Sequence, residues 1–179
     1  MATARHSRPP ELEHASLDDI AARFVGRFRD KAPDWAAFED AKIEGFKRAQ
    51  HRFIGAGGSG KHDDASVIPA RGFTLSIMYV EPGQGNAAHT HEVEEVFFVL
   101  QGFLDVFFQD ESGNKVWRRL APWECAACPP GVIHGYENRS LEPVYFQVML
   151  GRAQPELMGY ASDELFQNRD GHLKSASRN

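Results

Sequence analysis

The sequence predicts an all-β domain, a sandwich or barrel of antiparallel sheets, over residues 70–150. Residues 73–77 alternate strictly between apolar and polar side chains, which is the period of a strand with one buried face. Further strand-length apolar segments follow, separated by turns rich in glycine and asparagine. Many short strands joined by such turns are typical of sandwiches and barrels. The further segments are residues 93–100, 103–108, 116–120 and 144–150.

The segment before the strands, residues 16–69, is predicted to be a helical extension that ends in a glycine-rich loop. Ser16 is a suitable N-cap, and apolar residues recur at helical spacing from 17 to 29. Asp34 can cap a second helix over residues 35–46. These helices have no core of their own, so we expect them to pack against the barrel or a partner subunit.

Both ends of the chain are predicted to lie outside the barrel. Residues 1–15 are predicted to be a disordered arm, and residues 151–179 a C-terminal extension. The extension has two predicted short helical turns, at 155–158 and 162–166, and Gly171 is expected to end the second.

Composition excludes several classes of partner. The 179 residues carry a net charge of −5 and have a pI near 5.9, which does not favour binding to nucleic acid or to an anionic membrane. The N-terminus lacks the apolar core of a secretory signal, and the apolar runs are too short for a transmembrane helix. With two cysteines in such a chain, we expect a cytoplasmic protein.

Four residues form a candidate metal site. His89, His91 and Glu95 share one parity, and residues two apart in a strand point to the same face. His134 would join them from another strand. Imidazole and carboxylate ligands suit transition metals better than calcium or magnesium, so we predict one divalent ion per chain, with iron preferred and Mn, Zn, Ni or Cu open. Some coordination positions would remain free for water or substrate.

The residues around these ligands resemble the two signature motifs of the cupin superfamily. The first motif runs from Gly83 through His89, His91 and Glu95 to Gly102, and the second matches residues 129–138 around His134. The resemblance extends over about residues 70–150 and implies a double-stranded β-helix, a small jelly roll. One departure is Trp123, which stands where the second motif usually opens with glycine, so a turn of different shape is expected there.

The resemblance also implies an activity and an assembly. Small bacterial cupins with this ligand set include dioxygenases acting on diketones, hydroxylated aromatics and flavonols, so the leading hypothesis is a metal-dependent dioxygenase of a small organic substrate. A non-redox isomerase or lyase and a non-enzymatic metal- or ligand-binding module remain alternatives. Small cupins commonly dimerise. The outward-facing Val96, Phe98 and Leu100 would need cover, which favours a homodimer.

Parity in the strands also suggests a substrate pocket. The chemistry would occur at the metal, and no separate catalytic side chain is identified. Phe97, Tyr136 and Phe146 would line the pocket with aromatic surface, which suits a small aromatic or diketone-like substrate. Barrel core is an equally good interpretation of these three residues.

Two further motifs resemble those of other functional classes, but the surrounding sequence does not support either function. Residues 55–61 resemble a phosphate-binding loop, but His62 replaces the required Ser or Thr and no helix is predicted to follow, so a flexible loop, or a lid over the barrel, is the better interpretation. Cys125 and Cys128 lack the second Cys pair of a zinc ribbon. Residues three apart in a strand face opposite sides, so one thiol should be buried and the other exposed.

Overall fold

The computed structural model describes residues 5–176 and confirms the all-β prediction. Residues 1–4 and 177–179, parts of the predicted arm and tail, lie outside the described residues. Within the described chain the strands β1 to β10 are Ala49–Ile54, Thr74–Val80, His89–Thr90, Glu95–Gln101, Leu104–Gln109, Lys115–Leu120, Cys125–Cys128, Ile133–Glu137, Val144–Leu150 and Gly159–Tyr160.

The strands form two antiparallel five-stranded sheets packed face to face, in the arrangement of a double-stranded β-helix. The first sheet has the order β1-β2-β9-β4-β7, and the second has the order β10-β3-β8-β5-β6. Strand β4 shows why the sequence folds this way: Glu95, Phe97 and Val99 are buried, and the residues between them are half-buried. The core between the sheets contains Phe97 and Phe146, whose ring centroids are 5.8 Å apart.

Residues 73–77 alternate as the sequence pattern indicates, but here the polar side chains are buried and the apolar ones are more exposed, which is the reverse of an ordinary half-buried strand. Thr74 and Ser76 are buried, whereas Phe73, just before the strand, is exposed and Leu75 and Ile77 are only half-buried. Polar side chains therefore face the interior of the barrel at this end. Buried hydroxyl groups at this end of the barrel indicate that a cavity, rather than a packed apolar core, lies beside them.

The prediction of a second helix over residues 35–46 is wrong. The segment is mostly turns and contains one short 3₁₀ helix, Glu39–Lys42. The chain then enters β1, which the sequence pattern did not predict and which pairs with β2. Polar residues dominate its inward face, Gln50 being 2% exposed, so β1 lacks the apolar alternation that marks a strand.

The first helix, α1, is Leu17–Phe24 and is shorter than the predicted 17–29. Its predicted cap is confirmed, because Ser16 and Asp19 form a reciprocal capping box. After α1 the chain crosses the outer face of the first sheet, where Phe28 packs on His51 and Tyr145 with ring centroids 4.7 and 5.9 Å apart. The N-terminal segment therefore covers part of this apolar face, as predicted.

The C-terminal extension contains two short helices, α2 (Asp163–Gln167) and α3 (Gly171–Ala176). Ser162 caps α2 as predicted. Residues 155–158 are not helical, and Gly171 begins α3 rather than ending α2, so both of those predictions are wrong. No helix in residues 5–176 has the length and hydrophobicity needed to cross a bilayer.

Candidate metal centre

The predicted ligands meet between the two sheets. His89 on β3 and His134 on β8 are directly paired across these antiparallel strands, and Glu95 begins β4 in the facing sheet. His91 follows β3, where its carbonyl accepts a hydrogen bond from the Gly131 amide at 3.0 Å. None of the four ligand candidates is more than 5% exposed. The two motifs are thus brought together by strand pairing.

The Glu95 carboxylate is the centre of this cluster. Its Oε2 atom lies 2.8 Å from Nε2 of His134 and 3.4 Å from Nε2 of His89, and its Oε1 atom lies 3.6 Å from Nε2 of His91. One donor atom from each of His89, His91 and Glu95 forms a group within 4.8 Å, which is the size of a site for one ion. His134 contacts this group through Glu95, and its role as the fourth ligand stays a prediction.

Backbone carbonyls orient two of the imidazoles for metal binding. Nδ1 of His89 lies 3.0 Å from the Ala87 oxygen, and Nδ1 of His134 lies 2.8 Å from the Val132 oxygen. Because a carbonyl can only accept, Nδ1 donates in both cases, which leaves Nε2 of each ring to face the Glu95 carboxylate. Nε2 of His134 forms a hydrogen bond with Glu95 at 2.8 Å, and a bound divalent ion would take the place of the proton in it. The donor set therefore fits a metal ion.

Burial and mutual contact set the charges in the cluster. Burial acts to raise the pKa of Glu95, but His91, His134 and His89 hold that pKa well below its usual range. Burial lowers the pKa of His91 to about 4, against the opposing effect of Glu95. Burial also acts to lower the pKa of His134, but hydrogen bonds with Cys128 and Glu95 raise it to about 10. Glu95 is therefore ionised and His91 neutral at pH 7, as metal binding requires.

A cavity of about 30 Å³ lies against the cluster, which is room for about two water molecules. Phe97 and Tyr136, two of the predicted pocket residues, are in its wall. Phe146 lies behind them, fully buried, with its ring centroid 4.8 Å from that of Tyr136. The substrate role of these three residues stays a prediction.

The sequence reasoning missed the polar part of the cavity wall. Arg48 is 1% exposed and lines the cavity together with residues of β1 and β2. The signal that could have found it is the parity of Arg48 and Gln50, which matches that of Thr74 and Ser76 in the next strand. These polar wall residues are Arg48, Gln50, Thr74, Ser76 and Asn86.

Tyr136 lies within electrostatic range of both ends of this cavity. Burial raises the pKa of its hydroxyl well above the usual range, and the nearby Asp40 and Glu95 add to that effect, whereas Arg48 opposes it. The hydroxyl therefore stays protonated and can donate a hydrogen bond at neutral pH. Its interaction partners include both Arg48 and Glu95 of the metal cluster.

The Gly55–Lys61 loop covers part of the cavity, with Gly57 and Gly58 in its wall. The loop contains a 3₁₀ turn, Gly57–Ser59, and no α-helix follows it, in agreement with the rejection of a phosphate-binding loop. The contacts that hold it include His172 Nε2, which lies 2.8 Å from the Ser59 oxygen, Lys61 Nζ, which lies 2.7 Å from Asp34 Oδ2, and Gln50 Nε2, which donates to the Ala56 carbonyl at 3.2 Å. A side chain at Gly58 would meet His91, since its Cβ would lie 3.2 Å from Cε1 of that ring.

The prediction for the two cysteines is confirmed, whereas the expectation for the Trp123 turn is not. Cys125 is exposed and Cys128 buried, both as free thiols, which confirms the prediction from strand parity. The expectation of a differently shaped turn at Trp123 is wrong. This residue has φ +74°, the left-handed conformation that glycine favours, and within the described chain no other non-glycine residue has a positive φ.

Comparison with known proteins agrees with this architecture. A model of the cupin domain family matches residues 76–150. The rhicadhesin receptor of Pisum sativum is 33% identical over 73 residues, which are 40% of this chain and 34% of that protein. A germin-like protein of Arabidopsis thaliana (subfamily 2 member 1) is 36% identical over 73 residues, 40% of this chain and 33% of that protein. The chain thus matches about a third of the length of these relatives.

Solved structures share the fold at low sequence identity. The polyketide cyclase RemF from Streptomyces resistomycificus superimposes with a TM-score of 0.58 at 17% identity, covering 80% of this chain and 89% of the cyclase. An oxalate decarboxylase from Lactobacillus farciminis gives a TM-score of 0.56 at 16% identity, covering 84% of this chain and 39% of the decarboxylase. At these identities the likeness concerns the fold alone. With two five-stranded sheets, both signature motifs and the match over residues 76–150, this part of the chain is a cupin domain.

Proposed function

We propose that this protein is a metal-dependent enzyme acting on a small organic compound, and that its reaction is a dioxygenation. The observation that carries the proposal is the convergence of His89, His91 and Glu95 within 4.8 Å beside a cavity. A bound redox-active ion would supply the activation of dioxygen and a binding position for a substrate oxygen.

The residues of the chain have separate roles in this proposal. His89, His91, Glu95 and the predicted fourth ligand His134 would hold the ion. Phe97 would exclude water from one side of the cavity, and the protonated Tyr136 hydroxyl would donate a hydrogen bond to an oxygen of the substrate. Each role uses a side chain that the barrel already holds in place.

The small cavity constrains how a substrate enters. A volume of about 30 Å³ does not admit an aromatic ring, so a predicted aromatic or diketone-like substrate would require the Gly55–Lys61 loop to move away from His91. The loop is held mainly by side-chain hydrogen bonds, from Lys61 to Asp34 and the Ala36 carbonyl, from His172 to Ser59 and from Gln50 to Ala56, and it contains no strand. It therefore fits the role of a lid.

Metal analysis and oxygen uptake test this function. Protein purified without oxygen should contain about one transition-metal ion per chain, and iron-loaded protein should consume oxygen when supplied with hydroxylated aromatic or β-diketone compounds. The zinc-loaded form should not. Turnover with zinc and without oxygen uptake would instead support the isomerase or lyase, and ligand binding without turnover would support a binding module. Absence of metal from every preparation would contradict the proposal.

Assembly as a homodimer is a separate proposal. Val96, Phe98 and Leu100 lie on the outer face of β4 and are only half-buried, although the N-terminal segment covers neighbouring strands of this sheet. A second copy would complete the cover. Light scattering coupled to gel filtration should give twice the 20.0 kDa chain mass, and a monomer mass at micromolar concentration would contradict this proposal.

A further inference from the structure

Arg48 is a buried cation that interacts with Asp40 and with the Tyr136 side chain and still has one donor unpaired within the described chain. It is 1% exposed, and its guanidinium lies 4.5 Å from the ring centroid of Phe38. One terminal nitrogen donates to the Phe46 carbonyl at 2.9 Å, and the other donates to Asp40 Oδ1 at 2.8 Å. Among the described residues Nε has no hydrogen-bond partner. Burying an unpaired donor of a charged group is costly, so its retention suggests a function.

Asp40, the ion-pair partner of Arg48, does not direct its whole negative charge at the guanidinium. The Asp40 carboxylate is fully buried, and it also accepts a hydrogen bond from the Tyr160 hydroxyl at 2.9 Å and one from the Ala87 amide at 2.9 Å. Its negative charge is therefore shared among three donors. These bonds fix Asp40 behind Arg48, which itself lines the cavity. Asp40 thus positions the guanidinium toward the space beside the ligand cluster.

The charge around the cavity favours an anion. Asp40 balances Arg48, and a divalent ion, once bound by deprotonated imidazoles and Glu95, would add about one positive charge. Gln50, Thr74 and Ser76 supply further hydrogen-bonding groups in the same wall. A carboxylate oxygen is a strong acceptor for the unpaired Nε–H of Arg48. A group of three heavy atoms also suits the small volume of the cavity.

We propose that Arg48 binds a carboxylate of the substrate, so that the enzyme acts on a small carboxylic acid in its anionic form. This inference rests on the proposed function, because it assigns a substrate class to the same cavity. One end of the cavity then anchors the substrate through Arg48 with help from Tyr136. The other end presents the remainder of the molecule to the metal cluster.

Acetate is the simplest probe of this subsite, and acetamide is its neutral control of similar shape. Zinc-loaded protein, with its metal content measured first, would be labelled with ¹⁵N at arginine and titrated with each compound. Acetate should shift the Nε resonance of Arg48 with a saturable dependence on concentration. Acetamide should bind at least tenfold more weakly, because it lacks the charge that a guanidinium recognises.

Variants isolate the contribution of Arg48. Removing both members of the buried pair, as Asp40→Asn with Arg48→Met, avoids leaving an isolated charge in the interior. Acetate affinity should fall roughly ten- to hundredfold, which corresponds to one or two hydrogen bonds to a charged group, and zinc stoichiometry should be unchanged. If the double variant does not fold, Arg48→Lys keeps the charge but not the fork, and should also bind acetate more weakly.

The outcomes separate this inference from the proposed function. An Arg48-dependent preference for acetate over acetamide supports the carboxylate subsite, whether or not the protein retains metal. Equal binding of the two compounds, or an Arg48 resonance that acetate leaves unshifted, overturns it. The metal content measured in the same samples tests the proposed function separately from the carboxylate subsite.

Discussion

His89 and His134 are paired Cα partners on β3 and β8, and their imidazole centroids lie 4.6 Å apart. Each comes from a different sequence motif, and each directs Nε2 at the same oxygen of Glu95. Strand pairing therefore assembles the site, and the core that holds these strands is made of Phe97, Phe146 and their apolar neighbours. We therefore expect the fold to assemble without the ion.

Substituting a ligand should remove the metal and leave the barrel intact. We expect His91→Ala and Glu95→Gln to lose stoichiometric metal after dialysis and to remain folded, with Glu95→Gln the more destabilising because it breaks a buried pair with His134. His91 is the less disruptive choice, because its Nδ1 has no hydrogen-bond partner among the described residues. Elemental analysis and circular dichroism measure the two effects. His62→Ala, an exposed histidine outside the cluster, is the control. Full metal content in either ligand variant would contradict the assignment.

A side chain at Gly58 should disturb the metal centre without straining the backbone. Its Cβ would lie 3.2 Å from Cε1 of His91 and 3.5 Å from Cγ of Met158. We expect Gly58→Ala to weaken metal binding by on the order of tenfold, because ligand orientation controls affinity. The matched control is Gly72→Ala, where a Cβ would meet nothing within 4 Å. Competition with a chromophoric chelator measures the affinities, and equal values for both variants would show that the loop does not constrain His91.

The ligands were predictable from the sequence, whereas the polar wall of the cavity was not. His89, His91 and Glu95 lie on one face because strands have a period of two, and that rule needs no tertiary information. Gln50 lies in β1, whose inward face is polar, and Arg48 lies just before that strand, so hydrophobic periodicity gives no signal there. The prediction of a helix over residues 35–46 is wrong for a related reason. Ala37 and Phe38 are buried, as apolar residues of a helix would be, but the segment buries them from turns.

The Trp123 turn shows a second limit of reasoning from residue type. The hydrogen bond from the Trp123 amide to the Val99 carbonyl at 2.9 Å, and that from the Val99 amide to the Glu124 carbonyl at 3.0 Å, fix the backbone path. The turn therefore keeps φ +74° although tryptophan disfavours it. Tertiary hydrogen bonds outweigh the local preference of the side chain.

Replacing Trp123 by glycine should consequently stabilise the protein relative to alanine at the same position. A non-glycine residue in the left-handed region costs about 1–2 kcal/mol, which the greater freedom of glycine in the unfolded chain partly offsets. Both variants lose the contact of Trp123 with Phe98, whose ring centroids lie 6.2 Å apart. We expect Trp123→Gly to exceed Trp123→Ala by about 1 kcal/mol in urea denaturation. The reverse order would mean that the turn relaxes when tryptophan is removed.

The Asp40–Arg48 pair should be much more important to stability than the exposed ion pairs. Both side chains are at most 1% exposed, so Asp40→Asn leaves an uncompensated buried guanidinium and should cost about 3–5 kcal/mol. Adding Arg48→Met should recover part of that loss, because the unpaired charge is removed. Glu11→Gln, which breaks a half-exposed pair with Arg71, should cost less than about 1 kcal/mol. Urea unfolding of the wild type and these three variants measures the differences, and a double variant less stable than Asp40→Asn would refute the argument.

The same pair should make stability depend on pH in the acid range. Burial acts to raise the pKa of Asp40, but Arg48, the Ala87 amide and the Tyr160 hydroxyl together lower it below the ordinary value of 3.8. A carboxyl with a lowered pKa contributes stability above its unfolded pKa and loses that contribution as the pH falls toward the folded value. Wild-type unfolding free energy should therefore decline more steeply below pH 3.8 than that of Asp40→Asn, and the two curves should run parallel from pH 5 to 7. Parallel curves through the acid range as well would show that Asp40 does not titrate with folding.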